Sequence, residues 1–395
     1  MPSSLPPRPS LEWLRKAAKE RRDRMRESKS GVRLADAQLA LAREFGFPSW
    51  RKLKAHVEEV SAQAAASNAL PADQRELLVR AFFARIGAGE TAIVRLALDH
   101  QPSLANAVGP HPYWGGRPQP LHLAIEGKRR DLFDLLLERG ADVNGANDGY
   151  DHWSPLMLAI NRNETGMRDE LIRRGARIGL LEALLLADDA RVDEVLRADG
   201  LPAIAPNAGS ILAFARTRFA IDRLLELGAP SDIPDRWGSK PIDALSRLGP
   251  KGRDLVRYLE MKGVVASPAD YARMGDHDTL RRLIAADAAI ARLDAVFMGA
   301  VDFRHHALVQ WLLEQGANVN SRSNAQSRHT ALHSAAWNGD MTMVKMLVQA
   351  GADIAARDEQ YDGDPAGWAE TAVEVENNPA AAEVAAYLRS LENAS

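Results

Sequence analysis

A histidine next to a carboxylate can take up and return a proton. One short stretch of this chain, Asn147-Asp148-Gly149-Tyr150-Asp151-His152-Trp153, holds such a pair. A comparable stretch, His111-Pro112-Tyr113-Trp114-Gly115-Gly116-Arg117, adds a second histidine. His111, Asp151 and His152 are therefore the residues that general acid–base catalysis would use if the chain were an enzyme. An ordinary hydrogen-bonded turn has the same composition, so both readings stay open. The same stretches are rich in aromatic residues, and Trp237, His329, Trp337 and Tyr361 extend the pattern. Trp and Tyr offer rigid contact area with a polar handle, and both concentrate at binding hot spots. Tyr113, Trp114, Tyr150, Asp151, His152, Trp153, Trp237, His329, Trp337 and Tyr361 thus form a candidate binding set. For any one of them the alternative is packing of loop on loop.

Other chemistries leave no trace. The chain lacks the zinc-protease, nucleophile-elbow, phosphate-loop and calcium-loop motifs. It has no cysteine, which removes disulfides, thiolate metal sites and a cysteine nucleophile. His305 and His306 are adjacent and point in different directions on a helix, so a shared metal is not expected. No metal or cofactor is expected. The 395 residues are 46% hydrophobic and 26% charged, the balance of a folded chain. No uncharged apolar run reaches membrane-spanning length, and residues 1–7 lack the apolar core of a signal peptide. A monomeric, cytoplasmic protein is the expectation. Residues 1–60 carry 14 Lys and Arg against 8 Asp and Glu, a balance of +6, while the rest of the chain balances to −9. That is a weak footprint for nucleic acid, which is not an expected partner.

These residues need elements to hold them. Thr330-Ala331-Leu332-His333-Ser334-Ala335-Ala336 opens a short helix with a threonine cap, and Asn338-Gly339 ends it. Met341 to Gln349 follows as a second helix, closed by Gly351-Ala352-Asp353. Pro120-Leu121-His122-Leu123-Ala124, with Gly140-Ala141-Asp142 after it, has the same plan. So has Ser154-Pro155-Leu156, ending at Arg174-Gly175-Ala176. These segments resemble the ankyrin repeat, whose signature is T-P-L-H-x-A. The resemblance is strong over 118–177 and 313–355. Between them it rests on spacing, and tetratricopeptide repeats rank behind because they lack the Gly-Ala-Asp turn. The resemblance implies projecting finger loops, a concave groove, and a structural role for His333 between adjacent loops.

The spacing is regular. Turn glycines at 140, 175, 228, 263, 316 and 351 alternate in intervals of 35 and 53, so every second one is 88 residues on. Leu136-Leu137, Leu224-Leu225 and Leu312-Leu313 obey the same shift. This predicts a unit of three helix pairs used three times, and about ten pairs in an all-α ankyrin solenoid over 65–391. Gly87-x-Gly89-x-x-Ala92 copies a dinucleotide fingerprint, but a helix precedes it, and it is read as an inter-helix turn. Residues 1–9 are read as a disordered tail and 10–64 as a helical module with Phe45, Phe47 and Trp50 in its core. Phe45-Gly46-Phe47-Pro48-Ser49-Trp50-Arg51-Lys52-Leu53 resembles a module found ahead of ankyrin arrays in bacterial proteins. The repeats imply a protein partner bound along the groove and its aromatic fingers. An enzyme or small-molecule site between the first two fingers is the alternative. The partner's identity is not legible.

Overall fold

The computed structural model describes residues 11–28, 31–58, 71–113, 115–145, 153–202, 209–235 and 238–393. The chain divides into two compact units, up to Arg177 and from Ile178, and each is taken by itself. In unit 1, α1 (Leu11–Ser28), α2 (Leu34–Glu44) and α3 (50–58) close on a small core of Leu14, Ala18, Leu41, Ala42, Leu53 and Val57. Phe45, Phe47 and Trp50, expected at its centre, are half-buried and pack around it. Next come α4 (Ala72–Gly87) with α5 (Thr91–His100), α6 (Pro120–Glu126) with α7 (Arg130–Glu138), and α8 (Pro155–Asn161) with α9 (Thr165–Arg173).

Unit 2 continues in pairs: α10 (Leu180–Leu185) with α11 (Asp189–Asp199), then a 3-10 turn (Ile211–Phe214) with α12 (Arg218–Glu226). After them come α13 (Pro241–Ser246) with α14 (Arg253–Met261), and α15 (Pro268–Arg273) with α16 (His277–Ala286). The last three pairs are α17 (Asp294–Asp302) with α18 (His306–Glu314), α19 (Ala331–Trp337) with α20 (Met341–Gln349), and α21 (Pro365–Glu376) with α22 (Pro379–Glu392). The described residues thus hold ten pairs, one of them opening on a single 3-10 turn.

Two turns define the repeat. The second helix of a pair ends on a left-handed glycine: Gly140, Gly175, Gly228, Gly263, Gly316 and Gly351 all have φ between 82° and 90°. The next N–H reaches back five residues, as in Ala141 N to Leu136 O, Ala229 N to Leu224 O and Ala317 N to Leu312 O, at 2.9, 2.9 and 3.0 Å. That bond satisfies a carbonyl the helix end would leave free. Leu136, Leu224 and Leu312 have no exposed surface, so the 88-residue shift marks equivalent core positions. Leu225, by contrast, is only half-buried.

The first helix ends on a second left-handed residue, and here the side chain varies. Gly89, Lys128, Asn163, Ala187, Gly249, Gly275, Arg304 and Gly339 all occupy it, with φ from 52° to 74°. All but Gly249 lie two residues past the end of the first helix, whereas Gly249 lies three past α13 and opens a 3-10 turn. In unit 1, α6 ends on Glu126, and in unit 2, α13, α15, α17 and α19 end on Ser246, Arg273, Asp302 and Trp337, with Arg247 the residue that follows α13. Those first helices pack on one another, α13 on α15, α15 on α17 and α17 on α19.

Candidate functional site

The histidines of the repeat signature are structural. Burial pushes His122 and His333 below the usual imidazole range, which keeps them neutral. His333 Nδ1 accepts from the Thr330 N–H (3.2 Å) and hydroxyl (2.8 Å), and its Nε2–H donates to the Gly363 carbonyl in the next finger (3.0 Å). His122 makes the same bridge, accepting from the Gln119 N–H and donating to the Trp153 carbonyl at 3.0 Å. Each histidine therefore ties its own helix to the following finger.

His111 has a carboxylate, and it is Glu126. The Nε2–H donates to Glu126 Oε2 at 2.9 Å, and Nδ1 accepts from the Tyr113 N–H at 3.1 Å. The two side chains are 2% and 6% exposed, so no substrate reaches the proton they share. The finger that carries His111 folds back on itself through His111 N to Gly116 O (3.1 Å) and Gly109 N to Pro118 O (3.3 Å). Tyr113 lies against Gly87, where a β-carbon would come within 2.8 Å of its hydroxyl. Trp114, Tyr150, Asp151, His152 and Trp237 lie outside the described residues.

The later finger, between Arg322 and Thr330, is also self-contained. Ser327 and Ser323 hydroxyls reach His329 Nδ1 at 2.8 and 3.0 Å, and the ring packs on Trp368 with centroids 4.8 Å apart. Burial, then the neighbouring His333, pushes His329 down to about 4. Asp358 accepts from the N–H groups of Gln360, Tyr361 and Gly363 and from Trp368 Nε1 (3.0 Å), which fixes the last finger. Tyr361 stands out from it, 54% exposed. Trp337 is half-buried and meets Trp368 edge-on at 5.8 Å. So His329 and Trp337 converge on Trp368, while Tyr361 projects away from solvent-shielded packing.

The row of unit 2 is different. Asp302 and Arg247 are both exposed residues, yet partial burial dominates the shift of each charge. Burial pushes the Asp302 carboxyl up, against a Ser334 hydrogen bond and the pull of Arg247 and Arg273. Burial, then Arg273, pushes Arg247 down. The Arg247 guanidinium makes a marginal contact to Ser239 Oγ at 3.5 Å, and no carboxylate among the described residues forms an ion pair with it. Arg273 is held from beneath: its Nη1 donates to Asp270 Oδ1 at 2.7 Å and lies 3.6 Å from Asp243 Oδ1. Burial opposes the Asp270 charge, and hydrogen bonds from Ser246 (2.6 Å) and Ser267 (2.7 Å) outweigh it. Burial, then Asp270, pushes Asp243 up.

Sequence reasoning missed Arg247, Arg273 and Asp302. The signal of Arg273 and Asp302 is positional, two residues ahead of a turn whose occupant changes from repeat to repeat, and Arg247 follows the end of α13. Only the backbone makes that register visible.

Residues 269–358 match a family model described as ankyrin repeats in three copies, and residues 119–148 match the single ankyrin repeat. The first match reaches back over α15 to α18, where the sequence offers spacing but no T-P-L-H start. Among solved structures, the chain is similar to the human ASB11 ankyrin repeat domain. That similarity has 20% identity, covers 51% of this chain and 99% of the other, and has a TM-score of 0.31. No curated protein matches the chain.

Proposed function

We propose that this all-α chain, which carries ankyrin repeats in both units, works by binding a partner protein along the first-helix row of unit 2. One observation carries the reading: Arg247 and Asp302 are both exposed, and neither forms an ion pair among the described residues. A charge that is partly desolvated and unpaired is costly, and a complementary partner relieves that cost. Trp337, and Tyr361 on the last finger, supply aromatic area beside charged groups, the composition of binding hot spots. His329, Tyr113 and the Trp153 carbonyl support the fingers instead. Catalysis between the first two fingers has no support from the described residues, because His111 and Glu126 are sealed together.

The test is capture of partners from an extract of the source cells, with the native chain and an Arg247→Glu, Asp302→Lys variant. The variant is expected to keep its helical circular dichroism and to lose partners. A folded variant that retains every partner contradicts the reading.

A further inference from the structure

We infer that the helical module α1–α3 docks on the outward face of α4 and α5 and serves as the N-terminal cap of the repeats in unit 1. This is an interface within the chain, and it does not rest on the function proposed above.

The first pair is apolar where the end of an array should be polar. α4 buries Val79, Phe82, Phe83 and Ile86, and α5 buries Val94 and Leu98. Away from that core, Leu77, Ile93 and Leu96 are 64%, 48% and 59% exposed. Ala81 and Ala92, each four residues from one of the leucines, are exposed as well. Ile93 lies four residues past the left-handed turn at Gly89. Wherever a later pair carries a large apolar residue at that place, it is buried. Leu132, Met167, Leu308 and Met343 follow the turns at Lys128, Asn163, Arg304 and Gly339 by the same four residues. Leu96 matches Leu135, which is also buried. α7 packs on α5 and α20 on α18, whereas α5 is the first second helix of the series. The last pair is finished differently. α21 and α22 present Glu370, Thr371, Glu374, Glu383 and Ser390 to solvent, and among the described residues neither helix carries a large exposed apolar side chain. A terminal repeat needs such a polar outer face, so α4 and α5 call for another element to cover them.

The chain itself offers the occupant. Twelve residues, 59–70, separate the end of α3 from Pro71, a reach of at most about 40 Å. A connection of that length keeps the module far more concentrated at this face than any second molecule. Successive elements of a chain also tend to lie side by side. The module needs the contact too. Its core is Leu14, Ala18, Leu41, Ala42, Leu53 and Val57, and a single core in so short a segment supplies little stability. Leu34 and Leu39 on α2 are exposed, and Trp13, Phe45, Phe47 and Trp50 are only half-buried. Both faces stand open in the structure, and docking closes each with the other, removing apolar surface from water on both sides. α1–α3 then complete the array in place of acting as a separate binding head.

The test uses the full chain with Ala92→Cys as its single thiol, placed on the outward face. The rate of that thiol with a disulfide reagent is measured, and the same sample is sized by sedimentation velocity. The thiol is expected to react at least about tenfold slower in native buffer than in denaturant, a docked state favoured by about 1.4 kcal/mol or more, in a chain that sediments as a monomer. Adding Leu34→Glu and Leu39→Glu, both at exposed positions, should restore most of the rate while the helical circular dichroism is unchanged. A second readout does not depend on that variant: a Leu39→Cys, Ala92→Cys chain treated with a short bifunctional thiol reagent should give mainly a crosslink within one chain. A thiol at 92 that reacts as fast in native buffer as in denaturant overturns the inference, and so does a crosslink that forms only between chains or not at all. Protection that survives the two glutamates overturns it as well, and if that protection fades on dilution the face belongs to a second copy.

Discussion

Glu126 and Asp302 occupy the same place in their repeats, two residues ahead of the left-handed turn at Lys128 and Arg304. One is closed and the other open. In unit 1, the finger ahead of α6 turns His111 inward onto Glu126 and leaves the pair 2% and 6% exposed. In unit 2, Asp302 stays exposed and forms no ion pair among the described residues. The backbone register is common to both, so the finger decides whether an acidic first-helix residue becomes part of the scaffold or stays available. A polar group in a sealed site must be fully satisfied, whereas an exposed one can leave its last partner to solvent or a ligand.

The largest effects should be those that destroy the register both sites share. Leu136→Ala, Leu224→Ala and Leu312→Ala each empty a fully buried site beside an equivalent turn. Each is expected to cost about 2–5 kcal/mol in urea unfolding. Leu225→Ala, at a half-buried position, should cost clearly less, and equal costs at 224 and 225 would break the assignment of equivalent positions.

Acid should weaken unit 2 through a finger of its own. His329 falls from 6.5 to about 4 in the folded chain. Between those values the unfolded chain binds a proton that the folded chain does not, so stability is lost as pH falls from about 6.5 to 4 and levels off below. A shift of this size corresponds to at most about 3.5 kcal/mol. His329→Gln removes the titration, so its unfolding midpoint should change less over that window. An unchanged pH slope would show that the finger does not bury the ring as described.

The comparison itself predicts two unequal responses to one chemical change. Glu126→Gln leaves the His111 N–H a poorer acceptor in a sealed site and should cost about 1–3 kcal/mol. Asp302→Asn, at an open site, should cost less than about 1 kcal/mol. Similar costs would mean that the two positions do not differ in the way described.

The helix pairs were legible because core leucines and turn glycines recur with fixed spacing, and both are dictated by the backbone. The roles of His122 and His333 were legible because their motif demands a bridging ring. The row was not, since the turn that sets its register accepts glycine, lysine, asparagine, alanine and arginine alike. The carboxylate on His111 was sought in the neighbouring finger, at Asp151, whereas Glu126 arrives from the helix after the same finger. That aromatic, acidic finger places Asp151 40 residues on, and the fold instead joins His111 to a residue only 15 along, on a helix face that burial conceals. Aromatic residues drew attention to the fingers, yet His329 and Trp337 lean on Trp368, so much of that richness is internal packing.

The chain has no cysteine, which makes a single introduced thiol a clean probe of the contrast between the two acidic positions. Asp302→Cys and Glu126→Cys would be made separately, and the rate of each with a disulfide reagent compared in native buffer and in denaturant. The account predicts that the thiol at 302 reacts in the native chain nearly as fast as in denaturant, while the thiol at 126 is protected until the chain unfolds. Equal protection at both positions, or free reaction at 126, would contradict it.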